Sequence, residues 1–211
     1  MMEDFGGRLA SVWSELRPTT RGLVERALQT PNAATLSPPR NPSAPSAPNA
    51  PYDARADHEL SCLLAALDER SSETDGSLAV EKGTQLRHIA NTCAAVLQEK
   101  TRSAEVFAQL VRRADSQRDY ARVDALADAL TRFAPSEICE LARSQDVVVR
   151  ALANEALAQF PTSALIGLLS DPVDSDIARD ALRRQALDYG SEEARQIVNA
   201  LDQINMNQDD L

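Results

Sequence analysis

From Asp57 onward, apolar residues recur every three or four positions, the spacing that lines one face of an α-helix. Leu60, Leu63, Leu64 and Leu67 form a first stripe, and Leu86, Ile89, Cys93, Val96 and Leu97 a second. Val106, Phe107, Leu110 and Val111 form a third, and Val123, Leu126, Leu130 and Phe133 a fourth. Short helices are expected over about 136–143 and 162–170, alternating with longer ones over about 146–160 and 175–188. A last helix, over about 191–205, carries Ala194, Ile197, Val198, Leu201 and Ile204. Residues 70–76, rich in Ser, Glu, Thr, Asp and Gly, read as a loop. No run alternates with a period of two, so no strand is predicted.

The first part of the chain has a different grain. Phe5, Leu9, Val12, Trp13 and Leu16 give residues 4–17 a single apolar face. Pro18 ends or kinks that helix, because proline disfavours a helical conformation in the residue before it. A second short helix is expected over 20–29. Residues 31–51 then hold seven of the chain's 11 prolines. Pro39, Pro42, Pro45, Pro48 and Pro51 fall on every third residue and would align along one edge of a polyproline II rod. The stretch reads either as a semi-stiff spacer or as a ligand for a proline-binding domain. The expected organisation is an amphipathic helical segment at 1–30, a Pro-rich linker at 31–56, a helical-repeat domain at 57–205 and a flexible acidic tail at 206–211.

Two internal alignments mark a repeat. Ala129-Leu130-Thr131-Arg132-Phe133 matches Ala156-Leu157-Ala158-Gln159-Phe160 at an offset of 27, and Asp146, Ala151, Ala156 and Leu157 match Asp176, Ala181, Ala186 and Leu187 at an offset of 30. Pro135 and Pro161 each stand where a short helix would open. Two helices per unit of about 30 residues mean a helical solenoid. The segment around Asp146, Val149, Arg150, Ala153, Ala156 and Leu157, with Leu141 upstream, resembles the HEAT-like repeat family. That pattern is a short first helix, an Asp-containing turn, a Val-Arg pair, then Ala three and six residues after the Arg and Leu at seven. The unit at 121–133 and the one from Ala178-Arg179 to Ala186-Leu187 depart from it, their Ala-Leu pair coming one residue late. The resemblance spans residues 103–205. It implies an all-α fold, a short right-handed α-solenoid of antiparallel helix pairs (HEAT/armadillo-like). In it the Ala residues let backbones approach, Leu fills the seams, and Asp146 and Arg150 order the turn.

Composition agrees with helices. Apolar residues make up 43% and aromatics only 4%, with seven glycines in 211 residues. Residues 57–211 carry 16 Lys and Arg against 27 Asp and Glu. A body this acidic repels phosphate backbones. Arg112-Arg113 and Arg183-Arg184, its adjacent basic pairs, lie among acids and read as solvated faces. Nucleic acid is therefore not an expected partner. Cys62, Cys93 and Cys139 are too sparse for a disulfide framework. The acidic start lacks a signal-peptide core, no stretch approaches a membrane span, and a cytoplasmic location follows.

Candidate chemistry is scarce. His58 and Cys62 share a helical face but project away from the leucine stripe, and His88 points roughly opposite to Cys93. No metal site is predicted, and Cys93 and Cys139 read as small core residues. No phosphate loop, dinucleotide fingerprint or nucleophile elbow occurs. No catalytic residue and no cofactor are assigned. The expected function is a non-catalytic interaction module or adaptor for another protein with a basic or neutral surface. Phe5, Leu9, Trp13 and Leu16 are candidate partner contacts; folding back onto the chain's own helices is the other reading open for them. Otherwise specificity falls to the polar positions between the repeat residues. The alternative is a lyase-type enzyme or enzyme subunit, which a deep polar pocket lined by His88, Asp or Glu would favour.

Overall fold

The computed structural model describes residues 2–29, 52–73 and 80–208. The proline rod, positions 74–76 of the expected loop and positions 209–211 of the expected tail lie outside them. Among the described residues the chain forms 11 α-helices, two short 3-10 turns and no strand. It divides into two compact units, Met1–Thr101 and Arg102–Leu211.

The first unit contains α1 (Gly7–Glu15), α2 (Pro18–Gln29), α3 (Ala54–Glu73) and α4 (Val80–Lys100). Packing of α3 on α4 buries Leu60, Leu63, Leu64 and Leu67 against Leu86, Ile89, Cys93 and Leu97, while α1 lies on α3 and α2 on both. The helix expected over 4–17 is broken at Gly6, whose φ of 121° is open to glycine and strained for other residues. A 3-10 turn, Glu3–Phe5, precedes it. Pro18 both closes α1 and opens α2 at its first position, two residues earlier than expected. Likewise α3 begins at Ala54, inside the stretch expected as linker, because the Asp53 carboxylate accepts from the Arg55 and Ala56 amides at 3.1 Å each. It continues to Glu73, so residues 70–73 are helix where a loop was expected.

An ionic cluster holds the α1–α2 elbow to α3. Arg17 reaches Glu59 at 2.8 Å and Asp53 at 3.0 Å, and the Thr20 hydroxyl donates to Glu59 at 2.5 Å. Hydrogen bonds from Arg17, then from the Ala56 amide, hold the Asp53 carboxyl below its usual range. Burial alone would raise Glu59, but the hydrogen bonds from Thr20 and from the Arg17 amide and guanidinium outweigh it and hold it low.

The second unit is a series of helix pairs. They are α5 (Ala104–Ser116) with α6 (Tyr120–Ala129), α7 (Pro135–Ala142) with α8 (Val147–Ala158), and α9 (Thr162–Leu168) with α10 (Ser175–Leu187); α11 (Glu192–Gln208) packs on α10. The first helices touch in sequence, α5 on α7 and α7 on α9. In the other layer α8 touches α10 and the 3-10 turn Leu130–Arg132 that ends α6. Pro135 occupies the first turn of α7, and Pro161 immediately precedes α9. Residues 206–208, expected in the tail, belong to α11.

Cross-links tie the pairs. The Glu137 carboxylate of α7 accepts from the Ala104 amide at the start of α5, at 2.9 Å. The Gln185 amide of α10, 5% exposed, donates to the Phe160 carbonyl at 2.5 Å and accepts from the Thr162 hydroxyl at 3.1 Å. Each leaves few buried polar groups at these corners unsatisfied. Arg113, expected on a solvated face, is instead 8% exposed and inside the unit. Its position three residues after Leu110 puts it on the buried side of α5, where its long stem can be covered.

Asp146 and Arg150 order the α7–α8 turn, each through the backbone and not through one another. Asp146 caps α8, accepting from the Val148 and Val149 amides at 2.9 and 3.1 Å. Arg150 folds back to donate to the Ser144 carbonyl at 2.8 Å. Replacing Arg150 with alanine is expected to cost about 1 kcal/mol, a fall of about 4 °C in thermal melting. An unchanged melting temperature would refute that role.

Candidate interaction surface

The buried residues of the second helices set a register. Leu126 and Leu130 of α6 and its following turn stand where Ala153 and Leu157 stand in α8, 27 residues on. Val149, Ala153 and Leu157 stand where Ala178, Leu182 and Ala186 stand in α10, 29 residues on. The offset of 30 expected for this last step is corrected. It would equate Leu157, fully buried, with Leu187, which is 81% exposed. Ala156, expected to let neighbouring backbones approach, is only half-buried, whereas Val149, Ala153 and Leu157 are fully buried.

Rotating half a turn from the buried positions gives the outward face. Tyr120, Asp124 and Asp128 of α6 take the places of Val147, Ala151 and Glu155 of α8, and of Asp176, Asp180 and Arg184 of α10. All are exposed, Tyr120 at 64% and Val147 at 68%. These nine equivalent positions are predominantly acidic, with the apolar Tyr120 and Val147 opening α6 and α8 and the small Ala151 on α8. Asp124, Asp128 and Asp176 form no ion pair among the described residues. Glu155 accepts from the Tyr189 hydroxyl and from the Gln159 amide at 2.8 Å, which hold its carboxyl below the usual range. A shallow cleft of about 300 Å³, lined by Asn154, Asp180, Ala181 and Arg184, opens between α8 and α10.

The turns feeding these helices are pinned by an arginine ladder. Asp119 and Asp146 cap α6 and α8. Arg112 of α5 approaches Asp146 at 3.8 Å, and Arg143 after α7 reaches Asp174 at 2.6 Å. Asp174 makes no side-chain cap on α10, its carboxylate being committed to Arg143. The planar guanidinium suits such carboxylate pairing. Every lysine or arginine of this unit is an arginine; the chain's two lysines, Lys82 and Lys100, lie on α4.

Phe5, Leu9 and Leu16, expected as candidate partner contacts, are not on an open face. They are 1%, 2% and 4% exposed in the core of the first unit. Trp13 is half-buried on α1. A second cleft, of about 280 Å³, lies beside Gly6, Arg8, Glu69 and Arg70, where Arg8 pairs with Glu69 at 2.5 Å. His88 is exposed on α4 and lines neither cleft. His58 and Cys62 approach to 3.8 Å on the exposed side of α3, and Cys93 and Cys139 are buried. Burial, with Asp174 nearby, pushes the Cys139 thiol up to about 11. Among the described residues no three His, Cys, Asp or Glu gather as a metal site, and no helix is long and apolar enough to cross a membrane.

The outward acids were missed as a group in the sequence. Their spacing of four, Tyr120-Asp124-Asp128 and Val147-Ala151-Glu155, was the available signal, but it requires the correct register between helices. Compared with protein-family models, curated proteins and solved structures, the chain shows no significant match.

Proposed function

We propose that the second unit is a short right-handed α-solenoid of the HEAT-like kind. It serves as a non-catalytic interaction module for a partner protein with a basic or neutral surface. What supports the reading is the outward face of α6, α8 and α10. Each helix presents exposed side chains, mostly carboxylates, on the side opposite buried residues such as Val149, Ala153 and Leu157. Rigid helices present such side chains at little conformational cost, and carboxylates with no intramolecular partner favour a cationic ligand. Binding is placed here and not at α1 because Phe5, Leu9 and Leu16 are committed to their own core.

Ala151 supplies the test, since an arginine there would block close approach to the exposed side of α8. Affinity capture from the native organism with mass spectrometry should recover specific partners with the wild-type chain. The same partners should come with Ala65→Arg on the exposed side of α3, but not with Ala151→Arg. Recovery of the same partners by Ala151→Arg would refute the assignment.

A further inference from the structure

His58 and Cys62 stand about one helical turn apart on α3, and both are exposed. Residues four apart on a helix are neighbours, and here the His58 Nε2 and the Cys62 Sγ lie 3.8 Å from each other. Neither side chain makes another hydrogen bond or ion pair among the described residues. Glu59, the carboxylate between them in the sequence, is committed to Arg17 and Thr20.

The separation matches the bite of a chelated metal. A zinc-class ion bonds thiolate sulfur at about 2.3 Å and imidazole nitrogen at about 2.0–2.1 Å in tetrahedral geometry, which sets the two ligand atoms about 3.6 Å apart. A square-planar ion would draw the same atoms to about 3.1 Å, and a linear one would part them to about 4.4 Å. The observed spacing is nearest the tetrahedral one, and exposed side chains close the remainder by a small rotation. We infer that His58 and Cys62 form a two-ligand site for a zinc-class divalent cation on the surface of the first unit, with the ion's other positions filled from outside the chain. Cys62 binds as the thiolate, its proton passing to water, and His58 binds through Nε2 in its neutral form. Two protein ligands hold an ion less tightly than the three or four of zinc enzymes and zinc-stabilised folds. The ion is therefore reversibly bound and open to donors from a second molecule. Cys62 is the thiol placed for this, since Cys93 and Cys139 are fully buried.

Cobalt(II) titrated into the full chain, reduced with a phosphine, tests the site, because a thiolate–cobalt bond gives a near-ultraviolet charge-transfer band. The wild type should develop the band, and zinc added afterwards should abolish it. Cys62→Ser should show no band, and His58→Ala should weaken cobalt binding roughly tenfold, about 1.4 kcal/mol. His88→Ala, on the exposed side of α4, should match the wild type. Because His58 and Cys62 are exposed, their variants keep the wild-type melting temperature, so a lost band is not a lost fold. No band at millimolar cobalt, a band that survives Cys62→Ser, unchanged affinity in His58→Ala, or an equal loss in His88→Ala would each overturn the inference.

Discussion

Replacing Phe107 by alanine is expected to remove about 3–5 kcal/mol from the stability of the second unit. The ring is fully buried in α5 and meets Phe133 edge to face, with centroids 5.2 Å apart and planes at 73°. Phe133 follows the turn after α6, so the contact closes the first helix pair on itself. Truncation loses the transfer energy of the ring, the edge-to-face term of about 1 kcal/mol and the packing around the void. A domain of this size has only about 5–15 kcal/mol in total. Melting should therefore fall by about 12–20 °C, with Phe107→Leu falling less because much of the volume is kept. Denaturant unfolding of both variants measures the two losses; a loss below about 1.5 kcal/mol for the alanine variant would mean that the ring is not a core anchor.

The second large effect lies at the α7–α10 link, and its sign of asymmetry is the informative part. Arg143→Ala should destabilise by about 2–3 kcal/mol, because it strands the Asp174 carboxylate, whose side chain is 5% exposed, without its cation. The value is below that for a fully sealed pair because Arg143 itself is 40% exposed and water can enter the space it vacates. Asp174→Asn should cost only about 1 kcal/mol, since the guanidinium left behind can turn to solvent. The hydrogen bond from Arg143 to the Val173 carbonyl, at 3.3 Å, survives in that variant. Equal losses, or a larger loss for Asp174→Asn, would contradict the burial asymmetry.

Helix-by-helix, much of this fold is written locally. The expected helices at 136–143, 146–160, 162–170, 175–188 and 191–205 each find a counterpart, since a 3.6-residue period needs no knowledge of neighbours. Departures arise where a non-local or conformational term decides. Gly6 divides the first amphipathic stretch through its backbone angle, which an apolar stripe does not report. Arg113 is buried by the packing of α5 although its sequence neighbours are polar. The step from α8 to α10 is 29 residues and not 30 because the match of Leu157 to Leu187 is a likeness of letters. In the packed unit it is Ala186 that faces inward.

The outward face inherits that difficulty. Asp124, Glu155 and Asp180 are ordinary surface acids one at a time. They become equivalent positions only when α6, α8 and α10 are aligned in the register that their buried residues set. Phe5, Leu9 and Leu16 show the converse, since an amphipathic stripe does not tell whether its cover lies within the chain or outside it. Here α3 supplies the cover.

The distribution of lysines has a practical outcome for anyone handling the protein. With Lys82 and Lys100 both exposed on α4 and none in the second unit, side-chain amine reagents can attach only to that helix. Immobilising the chain on a sensor chip through these amines leaves the face of α6, α8 and α10 chemically untouched. Acylation or ubiquitin transfer to a lysine is confined to the same helix. Amine-to-amine cross-linkers, for their part, have nothing to grip on the proposed binding face, so mapping a partner there calls for carboxylate-directed coupling.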